Sequence, residues 1–313
     1  MNYKLKKRGV LALLTLCILA GCAAQRETET PEPLVSSETE AASLSQTENV
    51  VPGSGVAGAE DMTAVEDVVE EGMKPIYAES LKDGVYPVEM KSSSSMFRAD
   101  HCELVVENGA MHAVLYMTSE AYPYMYAGTA QAAAGIDATS KAGWIPLTDG
   151  TFTLPLNALD SGESYAAYSK RKELWYDRTL LFRSDSLPPD AFRVMTTAES
   201  LDLADGSYTV EVSLKGGSGR ASVESPCVLQ AANGAVTARL VWGSANYDYM
   251  LIDGERYDAE IVDGHSVFEI PVLYFDRFVS VKADTTAMSK PYEIDYSIIF
   301  YSNTIMGKSG ENR

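Results

Sequence analysis

A chain of 313 residues with 25 Lys+Arg against 44 Asp+Glu carries a formal net charge of −19. So acidic a surface excludes nucleic acid as a partner, because phosphate binding needs a basic footprint. An anionic membrane surface would repel it too, and membrane contact is expected through a lipid anchor only.

The first residues set the expected compartment. Lys4, Lys6, Lys7 and Arg8 precede an apolar run from Val10 to Ala20, too short to span a bilayer and shaped like a secretory leader. It ends in Leu19-Ala-Gly-Cys22, which resembles the bacterial lipobox, so 1–21 is expected to be a lipoprotein signal peptide and Cys22 the lipidated first residue. A diacylated Cys22 holds a protein stably to a membrane where one chain does not. The expectation is an extracytoplasmic protein, lipid-anchored to the cell membrane.

From Ala23 to about Gly72 the chain is Glu, Thr, Ser, Ala and Pro with no aromatic residue. Such a segment buries too little apolar surface to offset its ordering entropy, so 22–75 is expected to be a disordered acidic tether. Met62, Val65, Val69 and Met73 fall at helical spacing, which allows a short helix there without requiring one.

Beyond the tether the chain repeats itself. Leu81-Lys-Asp-Gly-Val-Tyr-Pro-Val-Glu89 matches Leu203-Ala-Asp-Gly-Ser-Tyr-Thr-Val-Glu211. In the same order, Cys102 matches Cys227, Asn108-Gly109 matches Asn233-Gly234, and Tyr122-Pro-Tyr-Met125 matches Tyr247-Asp-Tyr-Met250. Phe152-Thr-Leu-Pro155 then matches Phe268-Glu-Ile-Pro271, and Phe182 matches Phe300. Internal repetition is settled before fold, and here it predicts two domains of one kind, over 76–190 and 198–313. Cysteines at equivalent places in different domains argue against a disulfide between them. In alternating stretches they read as small buried core residues.

Each copy carries the signals of short strands. Val85–Met90 and Tyr208–Leu214 alternate apolar and polar, as do Val236–Trp242 and Tyr292–Ile298. Asn-Gly at 108 and 233, and Asp-Gly at 149 and 263, are hairpin punctuation. About seven strands per roughly 100 residues is the pattern of an immunoglobulin-like β-sandwich, so the fold class is all-β with two tandem sandwiches. The Ala-rich 127–142 is expected to hold a short helix or a loop insertion.

The opening Leu-x-Asp-Gly-x-Tyr-x-Val, the Ser-rich turn, the Asn-Gly hairpin and the Tyr-bearing last strand together resemble the near-iron-transporter (NEAT) domain. In that family a β-sandwich binds haem on bacterial surfaces. Tyr292-Glu-Ile-Asp-Tyr296 matches the family's Tyr-x-x-x-Tyr, which implies Tyr292 as ligand to haem iron, Tyr296 as its support, and Ile294 packed on the flat ligand between them. Ser92-Ser-Ser-Ser-Met-Phe97 resembles the family's haem lip, which implies Ser95, Met96 and Phe97 as cofactor contacts. The two hallmarks fall in different copies. The second copy has Gly216-Gly-Ser-Gly-Arg-Ala221 at the lip, and the first has Leu174 and Arg178 at the tyrosine places, with Trp175-Tyr176 alongside.

Chemistry weighs the same residues without the family. A phenolate is a hard oxygen donor suited to ferric iron. The bland alternative is a half-buried strand whose aromatics face a core. Tyr122, Tyr124 and Tyr126, with Tyr247 and Tyr249, read either as a stacking platform or as cross-strand packing. His101, His112 and His265 are scattered, and no acid–base pair or nucleophile elbow is visible, so the chain is expected to bind and not to catalyse. The expected function is capture of haem or iron and hand-on to a membrane transporter or another surface haem carrier. Haem is the cofactor, and free haem or a haemoprotein the source. The alternative is a protein- or glycan-binding surface adhesion module without cofactor.

Overall fold

A computed structural model describes residues 51–62, 65–288 and 290–307. The leader, Cys22 and the tether as far as residue 50 lie outside the described residues. The described residues form one compact unit, and its regular structure is almost entirely antiparallel strand in four sheets.

The first half contributes β1 (Gly84–Pro87), β2 (Glu89–Ser92), β3 (Ala99–Glu107), β4 (Ala110–Met117), β5 (Tyr124–Ala127), the helix α1 (Ala130–Ala134), β6 (Trp144–Pro146), β7 (Thr151–Leu156), β8 (Glu163–Ser169) and β9 (Leu174–Arg183). The second contributes β10 (Gly206–Val210), β11 (Val212–Gly216), β12 (Cys227–Ala232), β13 (Ala235–Val241), β14 (Tyr247–Ile252), β15 (Glu255–Asp258), β16 (Glu260–Val262), β17 (His265–Pro271), β18 (Val279–Thr285), β19 (Tyr292–Phe300) and β20 (Met306–Gly307).

The first half's sheets run β1-β3-β4-β7 and β2-β9-β8-β5-β6, and the second half's contain β10-β12-β13-β17 and β11-β19-β18-β14-β15 in the same order. Register repeats as well. Leu104 faces Ala113 as Leu229 faces Ala238, Leu115 faces Phe152 as Leu240 faces Phe268, and Met90 faces Phe182 as Val212 faces Phe300. The repeat read from sequence landmarks is therefore a repeat of strand pairing.

The shared opening motif is explained by what it holds together. Tyr86 Oη donates to the Lys82 carbonyl at 3.0 Å and Tyr208 Oη to that of Ala204 at 2.9 Å. Asp83 and Asp205 accept the backbone N–H of Asn108 (3.4 Å) and Asn233 (2.8 Å), tying the start of each half to its first hairpin. At those hairpins Asn108-Gly109 and Asn233-Gly234 all have positive φ, the turn whose twist matches its strands. Gly is needed for this at low steric cost, and Asn tolerates it.

Alternating side chains from both sheets of each half fall in one apolar cluster, and Cys102 and Cys227 lie inside these clusters as unpaired thiols. The first half has a further cluster on the outer face of its second sheet. There Ala130, Ala133 and Ala134 of α1 pack on Trp144, Tyr168 and Trp175. Thr129 caps α1 by accepting from Ala132 N, so the Ala-rich insertion is a short helix laid on that sheet.

The expected tether does not run to residue 75. Val56 pairs in parallel with Trp175, with Ala57 N donating to the Trp175 carbonyl and Trp175 N to that of Gly55, both at 2.9 Å. Glu66 N donates to Ser93 O at 3.0 Å, and Ile76 pairs with Leu159. Composition misses this because the stabilising partners are remote. β2 covers only the end of β9, and the segment satisfies the backbone left open beside Trp175. No helix forms over 65–73.

The halves meet through an ion network. Arg183 donates Nε and Nη2 to Asp185 at 2.9 and 2.8 Å, Nη1 to Glu70 at 3.0 Å, and Nη2 to Ser297 Oγ of the second half at 2.7 Å. Ser297 Oγ donates onward to Asp185 at 2.8 Å. Burial disfavours the Arg183 charge, but its bonds and proximity to Asp185 and Glu70 outweigh that and hold the guanidinium above its ordinary range. The connecting segment adds bridges from Phe192 to Leu81 and from Thr196 to Phe275.

Candidate functional site

Tyr292, Ile294 and Tyr296 share one face of β19, as period-two geometry requires. They line a depression of about 330 Å³ with Gly216 and Gly217 at the end of β11, at the small end of the roughly 300–1,000 Å³ typical of ligand pockets. Tyr292 is 61% exposed and Tyr296 only 3%, so the two phenols occupy different surroundings. Tyr296 Oη is 3.1 Å from Tyr247 Oη, and its ring meets Trp242 edge-on at 5.3 Å. A Cβ on Gly217 would stand 3.0 Å from Tyr296 Oη, so the loop lies directly on that phenol. Burial first, then the bond to Tyr247, raises the Tyr296 pKa.

The walls of this depression are polar. Glu70 and Glu89 come from the first half and Glu293 and Asp295 from β19, against the cations Lys91 and Arg183. Arg183 is already committed to carboxylates. A phenol covered by a glycine loop and bonded to a second phenol, beside four carboxylates, is a poor seat for a flat anionic ligand.

The matching place in the first half is larger and less acidic. A groove of about 490 Å³ lies between β9 and the turn that follows β2. Its lip is Ser93, Ser94 and Met96, and its floor is Tyr176, Arg178 and Thr179. Tyr122 closes one end, Arg171 and Lys172 of the β8–β9 turn stand at the rim, and Asp61, Met62 and Val65 form the remaining wall. The segment expected to be a free tether is thus part of the site.

The lip is held by backbone. Ser93 N donates to the Thr179 carbonyl at 2.9 Å, and Thr179 N returns a bond to Ser93 Oγ at 3.0 Å. Phe97 N closes the turn on Ser94 O at 3.0 Å. The stretch is a single turn and holds no helix. Phe97, expected at the lip, is 2% exposed and packs in the core, its ring centroid 5.3 Å from that of Tyr122. That burial anchors the turn and leaves Met96, 66% exposed, on its outside. Ser95 is exposed and not among the groove-lining residues.

Tyr176 is buried at the floor with the Arg178 guanidinium 4.9 Å from its ring centroid. Burial, followed by the Asp61 charge, raises the Tyr176 pKa, while Arg178 opposes the rise. Ser93, Ser94 and Arg178 are residues that sequence reasoning did not single out as ligand contacts. The signal for Arg178 was present in the alignment of the copies: a cation on a strand where the other copy has a tyrosine.

The remaining aromatics mostly pack on each other. Tyr124 tilts on Trp144 at 5.8 Å and Tyr247 on Trp242 at 4.1 Å, which is the packing alternative for these residues. Tyr249 instead sits at the surface under Arg256, 3.8 Å from its ring centroid. Among the described residues no group of three or more His, Cys, Asp or Glu is placed to hold a metal ion, and no helix is long and apolar enough to cross a membrane. No family model matches the sequence, and no curated protein matches it.

Proposed function

We propose that this chain is a lipid-anchored, extracytoplasmic binding protein of two tandem immunoglobulin-like, NEAT-like β-sandwiches, and that the first copy's groove captures haem or a related tetrapyrrole for hand-on. The leader and Cys22 support the anchor, and the duplicated strand order supports the paired sandwiches. The observation that carries the ligand reading is the groove itself. It joins an apolar wall of Met62, Val65, Met96, Tyr122 and Tyr176 to Arg171, Lys172 and Arg178, three cations against the two acids Asp61 and Asp177, on a chain of net charge −19. A flat apolar body with anionic groups at its edge matches that division.

Haem is cargo in this reading, and the chain does no bond chemistry. Tyr176 offers a phenol oxygen and Met96 a thioether sulfur as groups able to meet the iron, and Tyr176 is the harder donor for ferric iron. In the second copy, Tyr292, Ile294 and Tyr296 do not fit a porphyrin, because Tyr296 is covered and bonded to Tyr247 in an acidic depression. Titrating hemin into the purified protein tests the reading. A Soret band that saturates in wild type and in Tyr292→Phe, and weakens in Tyr176→Phe with Met96→Ala, is the expected result. No Soret response in wild type would move the function to the second reading. That reading is a protein- or glycan-binding module, favoured by exposed Tyr292 and by half-buried Tyr249 under Arg256 on the same sheet of the second half.

A further inference from the structure

We infer that the first half's groove recognises its ligand through a carboxylate seated on Arg178, so that it takes planar acids whether or not they carry iron. This rests on reading that groove as the ligand site. Arg178 is 7% exposed, and a buried guanidinium carries five N–H donors that protein interiors normally pair. Nη1 donates to the Asp177 carbonyl at 2.8 Å, while Nε is buried without any partner.

The uncommitted edge of Arg178 can be compared with a committed one on the same strand. Five residues later, Arg183 uses its Nε and Nη2 as a two-pronged fork on the Asp185 carboxylate, at 2.9 and 2.8 Å. Among the described residues nothing pairs with the Nε of Arg178. Two acids also line the groove, and each has one oxygen held by a backbone N–H: Asp177 Oδ1 accepts from Ala130 N at 2.6 Å and Asp61 Oδ2 from Gly58 N at 3.3 Å. Stacking on Tyr176 fixes the guanidinium plane, which favours two-point recognition over a mobile point charge.

Two hydroxyls stand on the same groove. Ser93 and Ser94 are 5% and 6% exposed. Ser93 Oγ accepts from Thr179 N at 3.0 Å and Ser94 Oγ from Met96 N at 3.4 Å. A hydroxyl that accepts still has its own proton to donate. Arg178 and these hydroxyls supply charge-assisted donors to a carboxylate, with exposed Arg171 and Lys172 drawing the anion to the rim. In the second copy the position equivalent to Arg178 on β19 is Tyr296, so this subsite belongs to the first copy alone.

The test uses the full chain, with metal-free protoporphyrin IX, its dimethyl ester and hemin as probes, followed by porphyrin fluorescence and the Soret band. Protoporphyrin is expected to bind, and its ester to bind at least ~10-fold more weakly, since both carboxylates are blocked while the ring is kept. Arg178→Gln is expected to weaken protoporphyrin by ~10-fold or more with circular dichroism unchanged, and Arg178→Lys to restore part of it. Equal affinity for acid and ester, an arm that needs no variant to fold, overturns the inference and leaves the groove reading intact. Wild-type affinity in a folded Arg178→Gln does the same. Failure of wild type to bind hemin and protoporphyrin alike overturns both.

Discussion

The two copies share strand order and register, yet the strands β9 and β19 present opposite surfaces. In the first copy, Trp175 and Tyr168 are fully buried beneath α1 and the segment around Val56. Their counterparts by register in the second copy are the carboxylates Glu293, which is exposed, and Asp284. The groove follows a related division: a mostly apolar wall with three cations and two carboxylates in the first copy, a covered tyrosine pair with two cations and four carboxylates in the second. A duplicated framework fixes where strands lie, while a handful of outward side chains decides what each copy can hold.

The largest expected effect concerns the junction that gives the second depression its acidic wall. Arg183→Met leaves Asp185 and Glu70 without their shared cation in a site where the Arg183 and Asp185 side chains are 7% and 2% exposed. Losing one partner of a buried pair costs about 3–5 kcal/mol. Denaturant unfolding of the variant should show that loss, and a split into two transitions if the network is what couples the halves. Hemin affinity of the first groove should stay within about 2-fold, corresponding to about 0.4 kcal/mol. An unchanged midpoint would remove the network from any structural role.

Next in size is the contrast between the two candidate phenols. Tyr176→Phe should weaken hemin by ~10-fold or about 1.4 kcal/mol, while Tyr292→Phe should change it by less than about 2-fold. A phenol with a raised pKa remains protonated near neutrality, and ligation to iron displaces its proton. Affinity should therefore climb as pH rises from about 6 to 8, by up to ~10-fold per unit, and lose this slope in Tyr176→Phe. A slope that persists in the variant would assign the iron to another group.

Tyr296→Phe removes the bond to Tyr247 but keeps the ring against Trp242, and should cost about 1 kcal/mol in thermal or denaturant stability. It should leave hemin binding alone. Reduced hemin affinity in this variant would return the site to the second copy.

The smallest effect is one in which the copies should not differ. Burial pushes Cys102 and Cys227 up to about 12 from the ordinary 9.0. The unfolded chain gives up these protons first, so their contribution to stability is complete below about pH 9 and is lost as pH rises towards 12. Both thiols should resist a disulfide reagent at pH 8 in the native protein and react together on unfolding. One fast thiol would show that one core is open.

Much of the framework was legible because its signals are local. Asn108-Gly109 and Asn233-Gly234 dictate a turn of fixed twist within two residues, and alternating apolar positions place Cys102 and Cys227 inward without reference to anything distant. The Asp-Gly-x-Tyr opening marked the repeat because its Asp and Tyr hold backbone groups within the same half. The site was less legible. Met96 and the Ser-rich turn were visible, but Phe97 proved to be the anchor inside the core and Ser93 and Ser94 the groove face, which depends on the direction the turn takes after β2.

By itself the sequence determined the all-β character, the duplication and the turns, since each rests on residues close in the chain or on a pattern that repeats. Tertiary structure alone decided that Tyr296 is covered by Gly217 and bonded to Tyr247, that Val56 lies on Trp175, and that Arg178 lines a groove with its buried Nε unpaired. Those facts join residues tens to more than a hundred positions apart. Burial and hydrogen-bond pairing are properties of the assembled surroundings, so no local pattern could carry them.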